Sequence, residues 1–238
     1  MASSNYIFSS KKSDGDGEHW LTISDLMAGL MMVFLFIAIA FMKHVSSERD
    51  KIKDIAVAYQ ENQVAIFEAL NTEFAADLTN WQASIDKETL SFQFDSPEVL
   101  FDTGKSTLKK EFKNTLNDFI PRYLIVLDHY KDSIDEIRIE GHTSSEWRNG
   151  KSSEDAYFNN MSLSQNRTRS VLKFSYSIPQ LVTEQKKWIK HSFAAVGLAS
   201  SHLVTNEDGT ENKIKSRRVS FRVITNADIQ IRKIIDGV

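Results

Sequence analysis

Seventeen consecutive residues, Leu26 to Met42, carry no charge and no strong hydrogen-bonding side chain. No other feature of the sequence restricts its fold as much. Extended back to Leu21 the run has twenty-two residues. As a helix that is about 33 Å at 1.5 Å per residue, enough to cross a bilayer core. Trp20 stands where an interfacial aromatic belongs, and Lys43 with His44 closes the other edge. The competing reading is a cleaved signal peptide, since Ala38-Ile39-Ala40 resembles a cleavage site. Against it, Lys11 and Lys12 are followed by Asp14, Asp16 and Glu18, so the residues ahead of the run are not basic overall, and Asp25 lies inside the segment. A retained transmembrane helix over 20–43 is therefore expected, behind a tail of 1–19. Asp14-Gly15-Asp16-Gly17-Glu18 has a calcium-loop look but lacks the rest of that motif, and it reads as solvated tail.

The mean hydropathy of −0.33 thus sums a membrane-like segment and a polar remainder. With 41% hydrophobic and 26% charged residues in 238, the remainder can build a packed core. A net charge of −3 argues against a nucleic-acid partner. The absence of cysteine excludes disulfides, thiolate metal sites and cysteine nucleophiles. There is no Ser-His-Asp set, Walker loop or Gly-x-Gly-x-x-Gly, so neither an enzyme nor a bound cofactor is expected. His142 has no second histidine at ligand spacing, so no metal is expected either.

From Val45 to Trp81 there is no proline or glycine, and apolar residues recur at spacings of mostly 3, 4 and 7. This predicts an amphipathic helical linker, with 44–87 as its span. A seam through Ile52, Tyr59, Ile66 and Leu70, interrupted by Gln63, allows a short coiled coil; the alternative is a helix docked on its own domain. Beyond, Thr89–Phe94 alternates as a strand and Leu108, Phe112, Leu116, Phe119 and Ile120 mark a helix that continues past Pro121. Ile134–Ile139 reads as a strand ending at Gly141, and a polar loop runs from His142 to about Asn159. A second helix carries Leu163, Val171 and Leu172. Strands follow at Phe193–Val196 and Arg218–Thr225. The order is β-α-β-α-β-β over 88–226, an α+β layer of helices on one mixed sheet, with 227–238 left as a tail.

Asp25 stands out because a carboxylate in hydrocarbon costs several kcal/mol unless it is paired, hydrated or protonated. Ala28 and Gly29, at i+3 and i+4, are small and let another helix approach that face. The alternative is an interfacial N-cap, for which Ser24 and Asp25 are both suited. Ile23-Ser24-Asp25-Leu26-Met27-Ala28-Gly29, followed by Met31 and Phe34-Leu35-Phe36, resembles the transmembrane helix of the MotB family of flagellar stators, and within it the ZorB group of Zorya anti-phage systems. That resemblance implies that Asp25 carries the translocated proton.

Five further pieces occur in order: Phe101-Asp102-Thr103-Gly104-Lys105-Ser106, Ile139-Glu140-Gly141-His142-Thr143, Asn160-x-x-Leu163-Ser164-x-x-Arg167, Ala195-Val196-Gly197 and Arg217-Arg218-Val219. Together they resemble the OmpA-like peptidoglycan-binding domain. The resemblance implies that Arg167 clamps a stem-peptide carboxylate, with Thr143, Ser144, Asn160, Leu163 and Arg218 around it. Leu163 also reads as helix core, and the arginine pair as a solvated strand end. The family usually has aspartate directly after Gly-His-Thr, where this chain has Ser144; Glu146, Glu154 or Asp155 of the longer loop could supply the missing acid.

The expected protein is a single-pass inner-membrane B subunit, its N-terminus cytoplasmic and its wall-binding domain periplasmic, although the lysines after the helix slightly favour the opposite orientation. The resemblance implies a homodimer within a pentameric ring of MotA- or ZorA-like subunits. The rivals are a passive envelope tether that moves no ions, a flagellar stator, and a TolR- or ExbD-like transducer, which lacks this wall-binding motif set.

Overall fold

The computed structural model describes residues 15–95, 97–147 and 152–226. The tail expected over 1–14, residues 148–151 of the long loop and the C-terminal tail from 227 lie outside the described residues. The chain divides into two compact units, 1–54 and 55–238.

Helix α1 (Gly15–Phe74) opens inside the segment expected to be a tail. In the first unit, every described residue from Thr22 to Met42 is exposed. This is the one helix among the described residues long and apolar enough to cross a membrane.

The second unit begins with the last turns of α1 and continues through α2 (Leu78–Trp81), β1 (Ala83–Asp86), β2 (Ser91–Phe94), α3 (Pro97–Leu100) and α4 (Lys110–Asp128). It then runs β3 (Ile134–His142), α5 (Ser153–Ser177), α6 (Thr183–Ser192), β4 (Phe193–Ala199), α7 (Lys213–Ser216) and β5 (Val219–Thr225). The strands form one mixed sheet ordered β1-β2-β5-β3-β4, in which only β3 and β4 run parallel. This is the expected α+β layer with α3, α6 and α7 added and with the edge strand β1 at the end of the stretch expected as a helical linker over 44–87.

Alternation sorts the side chains onto two faces. Phe92, Phe94, Ile137, Ile139 and Phe221 point to the helices and are buried. Phe119 of α4 sits over three of them, with ring centroids 4.6 Å from Phe92, 5.3 Å from Phe94 and 5.1 Å from Phe221. Each such pair adds about 0.5–1.5 kcal/mol beyond area burial. The end of α1 joins this core through Ile66, Leu70 and Phe74, all fully buried. Gln63, which breaks the apolar seam, donates to the carbonyls of Lys87 and Glu88 between β1 and β2. Arg122 of α4 fastens the same stretch: its guanidinium pairs with Glu73 at 2.6 Å and Asp77 at 2.9 Å and lies 4.7 Å over the Phe74 ring.

Two glycines let α5 approach the sheet. A Cβ on Gly197 would stand 2.5 Å from the backbone nitrogen of Gln165, and one on Gly141 would stand 2.9 Å from the carbonyl oxygen of Ser164. Both separations are closer than real Cβ contacts, so these positions hold glycine for proximity. The helix starts at Ser153, earlier than the loop expected to Asn159. Ser152 caps it, its hydroxyl accepting from the Asp155 amide at 3.1 Å.

Candidate functional site

The close seating of α5 brings Asn160, Leu163 and Arg167 along one side of the helix, at i, i+3 and i+7. Asn160 is buried, and its amide donates to the carbonyls of Ser144 and Glu146, both at 3.1 Å. This pins the loop that leaves β3. Thr143 and Ser144 are buried in that loop, and the Thr143 amide donates to Ala199 at 2.8 Å. Thr143 Oγ1 is buried and has no hydrogen-bond partner among the described residues. Leu163 is half-buried.

Arg167 is 8% exposed. Its Nε donates to the Lys105 carbonyl at 3.0 Å, and its guanidinium lies 4.8 Å over the Phe101 ring. Gly104, at φ +69°, turns the Asp102–Lys105 loop that offers these carbonyls. Burial, with the field of Arg217, pushes the Arg167 guanidinium down to about 10. Among the described residues no carboxylate pairs with it. Asp102, the nearest acid in that loop, is held by Lys105 and Lys109 instead. A buried guanidinium without a counter-charge is a site for an external anion.

Two acids of the long loop are engaged elsewhere. Glu146 pairs with Lys213. Asp155 accepts from the Ser152 hydroxyl at 3.0 Å. Glu154 lies exposed in the first turn of α5. The loop is also tied down by Ser145, whose amide donates to Glu211 at 3.0 Å.

Arg218 requires a correction. Expected from the sequence to stand beside Arg167, it falls on the opposite face of the sheet, lining a cavity with His142, Ser220 and Arg222. Its neighbour Arg217 is the arginine whose field reaches Arg167. Arg217 caps the end of α7 and Arg218 leads into β5, so the two neighbours leave the chain in different directions. The structure therefore sets Asn160 against the loop of Thr143 and Ser144, and Arg167, further along the same side of α5, against Phe101 and the Lys105 carbonyl in the field of Arg217.

The other candidate, Asp25, lies in the exposed apolar run of α1 and makes no ion pair among the described residues. Among the same residues no group of three or more His, Asp or Glu side chains could hold a metal ion.

The Zorya protein ZorB of Escherichia coli is 55% identical over 224 residues, 94% of this chain and 95% of that protein. The chain belongs to the ZorB family. No protein-family model matches it. For this ZorB-family chain a fold relative is a MotB-like protein from Desulfovibrio vulgaris, at 18% identity and a TM-score of 0.50, covering 72% of the chain and 94% of that structure. At that identity the likeness concerns the fold of the second unit. The periplasmic domain of Helicobacter pylori MotB also aligns, at 18% identity over 62% of the chain and 84% of that structure, with a TM-score of 0.41.

Proposed function

We propose that this chain is the wall-anchored B subunit of a proton-driven inner-membrane motor that serves anti-phage defence. The observation that carries the reading is Asp25, the one carboxylate within the apolar stretch of α1 over 22–42, whose surface no described residue covers. Such a helix needs lipid and partner helices, and an acid among them is retained for a function rather than for stability. The partner is a MotA- or ZorA-like subunit, five copies of which ring a dimer of this chain. Asp25 takes a proton from the periplasmic side and releases it to the cytoplasm, a step that yields about 2.3 kcal/mol per 100 mV.

The second unit binds peptidoglycan and holds the B subunit still while the partner turns. Arg167 clamps a stem-peptide carboxylate, using the donors that Lys105 and Asp102 do not occupy. Thr143 and Ser144 offer hydroxyls for the rest of the stem, in place of the acid usual after Gly-His-Thr. Wall binding places residues beyond 43 in the periplasm.

Sedimentation of the full chain with purified sacculi tests the wall site. Arg167→Ala abolishes co-sedimentation, Arg167→Lys retains part of it because the charge survives without the fork, and Ser144→Asp strengthens it. Undiminished binding by a folded Arg167→Ala chain refutes the site. Alkaline phosphatase fused at Asp50 is active and at Ser10 inactive; the reverse pattern refutes the orientation.

A further inference from the structure

The face of the sheet turned away from α4 and α5 carries a cavity of about 270 Å³ that the wall site does not use. Its floor is polar and buried: Ser91, Glu140, His142 and Ser220 are at most 6% exposed. On β5 stand Ser220 and Arg222, with Arg218 just ahead of the strand, and Glu140 of β3 lies directly opposite Ser220. Arg218 and Arg222 thus flank Glu140, and Arg138 and Asp86 also line the cavity, so three arginines face two acids.

Arg218 and Arg222 keep donors to spare. Arg222 faces Arg138 across the strand pair, an arrangement that like charges disfavour. Arg138 is relieved by Glu136 at 2.6 Å. Among the described residues the one ion pair of Arg222 is a long one, Nη1 to Glu140 Oε1 at 3.9 Å. Arg218 makes no ion pair there; its Nη1 donates to the carbonyls of His202 at 3.3 Å and Ser216 at 3.4 Å. His142 Nδ1 is buried and has no hydrogen-bond partner among the described residues. A site with this many unused donors around one buried acid is built for a ligand of complementary pattern.

We propose that this cavity binds a small amino dicarboxylate such as glutamate, one carboxylate on Arg218, the other on Arg222, and the ammonium over Glu140. A simple anion would meet Glu140 at the centre, and a simple cation would meet two guanidiniums. Arg218 and Arg222 start about 13 Å apart along the chain, too far for one carboxylate to engage both in full. The volume lies just below the roughly 300 Å³ at which pockets for drug-sized ligands begin, which suits an amino acid.

Isothermal titration calorimetry of the full chain in lipid nanodiscs tests the proposal with three probes. Glutamate binds saturably, while glutarate, without the ammonium, and 4-aminobutanoate, with one carboxylate, each bind at least about tenfold more weakly. Arg222→Gln, at a side chain that is 42% exposed, leaves the chain folded by circular dichroism and weakens glutamate about tenfold or more. Arg218→Gln does the same, and Arg167→Ala leaves glutamate binding intact. The proposal is overturned if glutamate gives no saturable heat at millimolar concentration, if glutarate binds as tightly, if Arg222→Gln binds like the wild type, or if Arg167→Ala removes the binding.

Discussion

Phe34 is 61% exposed on the apolar stretch of α1, while Phe119 is fully buried among Phe92, Phe94 and Phe221. The same residue type meets opposite surroundings in the two units. The second unit satisfies its aromatic side chains from its own strands and helices. The first leaves a full turn-by-turn apolar surface whose satisfaction lies outside the chain. The charges follow suit. Arg138 pairs with Glu136 and Arg222 with Glu140 within the sheet, whereas Asp25 has no ion-pair partner among the described residues. Arg167 is an exception in the second unit: a buried cation with no acid beside it. Asp25 and Arg167 are the charges on which the proposed motor and wall functions rest, and Arg218, without an ion pair among the described residues, carries the proposed ligand cavity with Arg222.

The largest effect separates the two phenylalanines. Phe119→Ala is expected to cost about 3–5 kcal/mol through the cavity it leaves, read as a lowered midpoint in thermal unfolding of the full chain. Phe34→Ala is expected to leave that midpoint unchanged. Equal losses would break the contrast between a self-completed unit and an externally satisfied helix.

A smaller loss comes from the contact that positions the wall site. Gly197→Ala puts a methyl 2.5 Å from the Gln165 backbone and forces α5 away from β4, at about 1–3 kcal/mol. Sacculus binding falls with it, because Asn160 and Arg167 ride on α5. Unchanged melting and binding would show that the seating of α5 does not set the site.

The smallest effect is a pH dependence confined to the second unit. Burial, with the field of Arg218, holds His142 below its ordinary 6.5 despite Glu140. Glu140 is raised by burial but brought below its ordinary 4.5 by His142, Arg222 and Arg138. In both cases the unfolded chain takes up protons before the folded one, so stability falls on acidification, from pH 6.5 downward for His142 and from 4.5 for Glu140. His142→Gln should flatten the first part of that decline in melting curves. An unaltered profile would remove His142 from the account.

Much of the fold is legible in the sequence itself. An uncharged run long enough to span a bilayer has few other uses, and Ile137, Ile139, Phe92 and Phe94 alternate cleanly because one sheet face is buried and the other is not. Arg167 is marked by the resemblance of Asn160-x-x-Leu163-Ser164-x-x-Arg167 to the OmpA-like motif, which composition and periodicity alone do not single out. The strand β1 is not legible, since Ala83-Ser84-Ile85-Asp86 offers a single large apolar residue and follows a helix-period pattern directly. Helix α6 escapes notice because Trp188 and Ile189 are its only buried residues. Ile66 and Leu70 fit a coiled-coil seam and a domain core equally well, and only the partner surface decides. The exchange of Arg217 for Arg218 shows the limit most sharply: at the junction of α7 and β5 a one-residue step sends the two side chains to different surroundings.

The central claim is that Asp25 carries protons rather than capping a helix. It is tested by phage protection in cells that make normal amounts of Asp25→Asn chain and the partner subunit. Asparagine caps as well as aspartate but cannot cycle its charge. The account predicts loss of protection with membrane insertion, sacculus binding and assembly intact. Full protection by Asp25→Asn would contradict it and leave a passive wall tether.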